Sequence, residues 1–193
     1  YMKKILLVFF LVPFINFSQV QIGQDIDGEA SGDNSGFSIS LSSDGSIVAI
    51  GASGNDGNGY GSGHVRVYEN QNGSWVQLGQ DIDGEAAFDE SGKSISLSSD
   101  GSIVAIGAPG NDGNVSGSGH VRVYENQNGS WVQVGQDIDG EAINDESGYS
   151  VSLSSDGSIV AIGAPYNVGN DISFGHVRVY ENQNGSWVQV GQD

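Results

Sequence analysis

The 193-residue chain has no cysteine, three prolines and only six Lys+Arg. Without a thiol there can be no disulfide scaffold, no thiolate metal site and no cysteine nucleophile. The few basic residues stand against 24 Asp+Glu, a formal net charge of −18. A surface of that sign repels phosphate backbones and anionic lipid headgroups, so no nucleic-acid partner is expected, and cations or basic ligands are favoured. Long apolar runs are scarce as well. The single one, "ILLVFFLVPF" at 5–14, follows Lys3 and Lys4 and precedes "INFSQ". It is shorter than the roughly 20 apolar residues that a spanning helix needs. Residues 1–18 therefore read as a signal peptide cleaved between Ser18 and Gln19, directing the rest to secretion or the cell surface with no membrane insertion after cleavage. No segment carries a helical apolar period, so helix is expected to be almost absent.

Glycine, by contrast, is plentiful at 31 residues, and with the many Ser, Asn and Asp it points to numerous turns between short strands. "HVRVYENQNGSWVQ" occurs unchanged at 64–77, 120–133 and 176–189. Gly23, Gly79, Gly135 and Gly191 each open "GQD", which sets a period of 56 and defines copies at 24–79, 80–135 and 136–191. Repetition on this scale is the mark of solenoids, propellers and arrays, whose single unit cannot bury its own apolar face.

Each copy holds four strand signals. In the second copy, Ser94–Ser98 alternates polar and apolar, Ser102–Ala108 is continuously apolar as in a strand covered on both faces, and His120–Glu125 and Ser130–Ile138 alternate again. Asp100-Gly101 and Asn128-Gly129 favour the positive-φ turns of tight hairpins. Four antiparallel strands per repeat make a propeller blade. A parallel β-helix is the alternative, but its coils are much shorter than 56 residues. The expected fold is all-β: propeller blades of four antiparallel strands in three tandem repeats over 19–193. Propellers close with four to eight blades, so the expectation is an incomplete one, the front part of a longer propeller.

The segment "SGKSISLSSDGSIVAIGAPGNDG…GHVRVYENQNGSWVQ" resembles the FG-GAP-type repeat of bacterial secreted proteins, related to the propeller of integrin α-chains; its most specific element is Gly107-Ala108-Pro109, repeated as Gly163-Ala164-Pro165 and less closely as Gly51-Ala52-Ser53. Ser35, Ser91 and Ser147 stand where the Phe of "FG" belongs. The integrin-like calcium loop is absent, because "SSDGS" is too short to wrap a cation that takes six to eight oxygens. The resemblance thus implies the fold but no calcium site, and no cofactor is expected. A more distant likeness to WD40 repeats implies a propeller again.

In an up-and-down blade the short turns share one face and the long loops the other. Copies one and two differ at 31/87, 32/88, 34/90, 37/93, 53/109, 59/115, 60/116 and 78/134, nearly all in the long loops. A constant framework with one varied face is what a binding surface on a rigid scaffold looks like, and it is equally what free loop drift after duplication would leave. The acids on that face supply the candidate ligand residues Asp33, Asp56, Asp89, Glu90, Asp112, Asp145 and Glu146. No catalytic or metal-binding residue is expected, since each His recurs identically at 64, 120 and 176 whereas an active site needs one convergent constellation. The expected function is a non-enzymatic extracellular binding or adhesion module with a protein or glycan ligand. The alternative is a non-catalytic accessory region of a secreted polysaccharide-acting hydrolase.

Overall fold

A computed structural model describes residues 19–168 and 175–192. The expected signal peptide at 1–18 and the segment 169–174 of the third long loop lie outside the described residues. These hold fourteen strands and no helix, every named pair antiparallel. The parallel β-helix is thereby ruled out.

Three sheets follow the three copies. The first contains β1 (Ser35–Leu41), β2 (Ile47–Ala52), β3 (His64–Gln71), β4 (Ser74–Gln77) and β5 (Ile82–Asp83). The second contains β6 (Ser94–Leu97), β7 (Ile103–Ala108), β8 (His120–Gln127), β9 (Ser130–Gln133) and β10 (Ile138–Asp139). The third is β11 (Ser150–Leu153), β12 (Ile159–Ala164), β13 (His176–Gln183) and β14 (Ser186–Gln189).

One expected strand is in fact two. Ser130–Ile138 breaks into β9, which pairs with Tyr124–Gln127 of β8, and β10, which pairs with His120–Val121 further along the same strand. The break falls where neighbouring copies meet. Gly79, at the equivalent position, holds φ 82°, and a Cβ there would lie 2.8 Å from Gly129 O. Trp131 Nε1 donates to Leu78 O at 2.8 Å, and Trp187 Nε1 to Val134 O at the same distance. The outer strand is interrupted to receive the next copy's indole.

The turns also divide. Asn128 and Gly129 hold φ 58° and 87°, the two positive values a tight hairpin requires. At Asp100-Gly101 only the glycine is positive, at 73°. Asp100 serves as an acceptor instead: its Oδ1 takes Ser98 Oγ at 2.7 Å, Ser102 N at 3.0 Å and Ser102 Oγ at 2.7 Å. The same wrap around Asp44 and Asp156 holds both carboxyls down to about 2.

The sheets stack face to face through two apolar layers. Ala49, Val65 and Val67 of the first sheet meet Ile95, Leu97, Val104, Ile106 and Trp131 of the second. Ala105, Val121 and Val123 of the second meet Val160, Ile162 and Trp187 of the third. Alternate residues of β7 thus enter different layers, which is why its sequence is apolar without interruption. Full burial of each Val or Ile stabilises by about 1.5–3 kcal/mol, and no single sheet could obtain this alone.

Candidate functional site

The long loops β2–β3 and β5–β6, with their equivalents, converge at one end of the stack. Three of the candidate acids hold them in shape. Asp89 is 2 % exposed, and its Oδ2 accepts Glu85 N at 3.2 Å, Ala86 N at 2.9 Å and Asn111 Nδ2 at 3.1 Å. Asp33 accepts from Ala30 N and Asn55 Nδ2, and Asp145 from Ala142 N and Asn167 Nδ2. Each brace ties one copy's β5–β6 type of loop to the β2–β3 type beside it. These carboxylates are buried and engaged, so their task is to shape the loops. Asp56 and Asp112 are exposed, but each closes its own loop, accepting Gly61 N and Gly117 N at 2.7 Å. Glu90 and Glu146 face open space.

That space consists of two neighbouring grooves. The first, about 410 Å³, lies between Ser31, Gly32, Asn34 and Phe37 on one side and Phe88, Glu90 and Lys93 on the other, with Ser53, Gly54, Asp56, Tyr60 and Gly61 as its floor and end. The second, about 350 Å³, is lined by Phe88, Glu90, Lys93, Pro109, Gly110, Gly117, Asn144, Glu146, Tyr149 and Tyr166. It is the same groove one repeat further on, and Phe88, Glu90 and Lys93 form the wall they share. Tyr60 packs on Phe88 with ring centroids 5.5 Å apart, and Tyr149 meets Tyr166 edge-on at 6.2 Å. Lys93 Nζ sits 4.7 Å from the Phe37 centroid and 2.8 Å from Glu90 Oε2. Burial, and after it the nearby Glu90, raises the Glu146 carboxyl above its usual range while Lys93 opposes.

Every residue lining either groove occupies a position whose identity differs among the three copies. The differing positions were visible in the sequence. Their convergence on a shared wall was not, because Phe37, Tyr60 and Phe88 are remote along the chain.

Sequence spacing also missed a second cluster. Glu85, His120 and Asp137 bring their ligand atoms within 4.8 Å of one another, as do Glu29, His64 and Asp81. Such sets could hold a cation, but each already contains one. Arg66 pairs with Glu29 and bonds Asp81 through Nε at 3.0 Å and Nη2 at 2.9 Å. Arg122 lies 3.5 Å from Glu85 and donates to Asp83 O of the preceding sheet at 2.8 Å. Arg178 repeats this on Asp139 O at 2.9 Å. Burial first, then Arg122, lowers the His120 imidazole to about 4 and keeps it neutral. The cluster is an ionic joint between sheets rather than a metal centre.

No family model and no curated protein matches the chain. Among solved structures it is similar to a "putative 6-phosphogluconolactonase" from Bacteroides uniformis, at 16 % identity and a TM-score of 0.54, with 80 % of this chain and 39 % of that one covered. It is also similar to Sqt1 from Saccharomyces cerevisiae, at 17 % identity and a TM-score of 0.47, with coverages of 81 % and 35 %. The chain thus spans little more than a third of either protein's length, and at these identities the likeness is one of fold alone.

The first comparison nevertheless overturns the expectation of a non-enzymatic chain, since a structure of this fold is described as an enzyme. The physical reason lies in which residues were weighed. Triplicated His positions cannot form a unique centre, but the copy-specific residues of the grooves do form unique constellations, such as Glu90, Lys93, Glu146 and Tyr149.

Proposed function

We propose that the three sheets are consecutive blades of a β-propeller in an exported protein, and that its long-loop face is an extracellular site for a protein or glycan ligand. The observation that carries this reading is that the residues lining the two grooves are copy-specific throughout, while the framework holding them is repeated nearly unchanged. A rigid scaffold with varied side chains on one end is a common design for recognition. The exposed rings of Tyr60, Phe88, Tyr149 and Tyr166 offer large contact area at little cost in conformational entropy. Lys93, Glu90 and Asn144 add directional hydrogen bonding. The FG-GAP-type resemblance of the repeats agrees with this reading.

Immobilised glycans and extracellular proteins, probed with the fluorescently tagged chain, test it. Phe88→Ala and Tyr149→Ala should each weaken the binding found by tenfold or more at an unchanged melting temperature, whereas Gln71→Ala on the short-turn face should not. Binding that survives both groove variants would place the site elsewhere. Bound ligands are to be examined for chemical change as well, given the enzyme described for the fold.

A further inference from the structure

The outward faces of the first and third sheets are the two halves of an interface that the molecule already builds twice within itself. On the second sheet Ile95 and Leu97 are 8 % and 7 % exposed, covered by the first; their first-sheet equivalents Ile39 and Leu41 are 70 % and 58 % exposed. On the opposite side, Val65 and Val121 are fully covered by the sheet that follows, while their third-sheet equivalent Val177 is 65 % exposed. Neither outward face has the composition of a solvated surface, and contiguous apolar surface of this kind marks an interaction site.

The polar contacts follow the same series. Ser38 Oγ donates to Gly92 O at 2.7 Å and Ser94 Oγ to Gly148 O at 2.8 Å; the next donor, Ser150, is exposed. Leu97 N donates to Ser40 Oγ at 2.9 Å and Leu153 N to Ser96 Oγ at 3.0 Å. Ser43 N donates to Ser99 O, and Ser99 N to Ser155 O, each at 2.8 Å. The receiving end is already shaped. Gly36 holds φ 85°, matching Gly92 at 84° and Gly148 at 86°.

We propose that the outward face of the third sheet binds the outward face of the first sheet of a second copy of this chain, head to tail, in the register of the internal interfaces. Ser150 Oγ then meets Gly36 O, Ser155 N meets Ser43 O, and Ile39 and Leu41 settle against Val177 and Val179. A second copy is the occupant because the two faces complement each other residue for residue, as the internal pairs do. The contact is heterologous, so it either closes into a ring or continues as a fibre. A net charge of −18 on each chain opposes it, and added salt should strengthen it by screening.

The experiment is sedimentation of the full chain over a range of concentration and salt, together with an engineered disulfide. Ser43 Oγ and Ser99 Oγ lie 3.0 Å apart, so the equivalent pair across the proposed contact is Ser155 with Ser43. In one chain these two residues sit two sheets apart, and the native protein has no thiol to interfere. The double variant Ser43→Cys, Ser155→Cys should oxidise to covalent dimers or longer ladders, while each single variant stays uncrosslinked. Ile39→Glu and Val177→Glu should each abolish the crosslink and give monomers without lowering the melting temperature, since both residues are exposed in the isolated chain. Monomers under all conditions overturn the proposal and leave the faces to further repeats of a longer polypeptide. A disulfide in either single variant overturns it too, because it would join like ends, as does a crosslink that survives Ile39→Glu.

Discussion

His120 shows how a residue can be legible as an identity and illegible as a role. The sequence places a His at the head of three identical strands, yet nothing local reveals that Arg122, Glu85 and Asp137 surround it. Burial holds its imidazole at about 4, against 6.5 for an unburied group. A group lowered by folding stabilises fully above its unfolded value and loses that contribution as pH falls towards the folded one. Between pH 6.5 and 4 the native state should therefore lose about 3 kcal/mol. Thermal unfolding of the native chain and of His120→Gln across that range checks this. The native melting temperature should fall more steeply, and parallel curves for the two would show that His120 is protonated at no cost. The candidate acids divide on the same ground. Asp33, Asp89 and Asp145 read in sequence as a solvated acidic loop, and only the fold brings Asn55, Asn111 and Asn167 to them.

At the level of elements, β7 and its equivalents were the most legible, because an uninterrupted apolar run can only be covered on both faces. The broken outer strand was not legible, since its cause is the next copy's tryptophan. Glycines within the second strands make the difference between covered and open sheets measurable. A Cβ on Gly107 would collide with the Gly148 carbonyl of the following sheet, whereas a Cβ on Gly163 would meet only the movable Ser150 hydroxyl. Gly107→Ala should cost several kcal/mol, as overpacking a rigid contact does, and Gly163→Ala should cost less than about 1 kcal/mol. Chemical denaturation of the two variants decides the point, and equal losses would mean that the third sheet's outer side is covered.

For the molecule as a whole, the period gave the three-sheet organisation directly, because near-identical copies must make near-identical sheets. The binding end was legible only as a list of differing positions, since which loops face one another depends on how the sheets stack. The two internal interfaces are built from the same residues, apart from Ile95 and its equivalent Val151. Deleting 80–135 should therefore let the first sheet pack directly on the third, with Gly79 joined to Gln136 in an unchanged "GQD" junction. The shortened chain should fold cooperatively at a lower melting temperature, having lost one of two apolar layers. A deletion two residues shorter should not fold, because a strand shifted out of register cannot bury the same face. That exchangeability reaches beyond one molecule. Unequal recombination between the near-identical coding repeats would add or remove whole 56-residue units without breaking any joint, so the number of copies is open to change from one generation to the next. Each newly inserted unit would bring its own groove, free to diverge, on a frame already proven to fold.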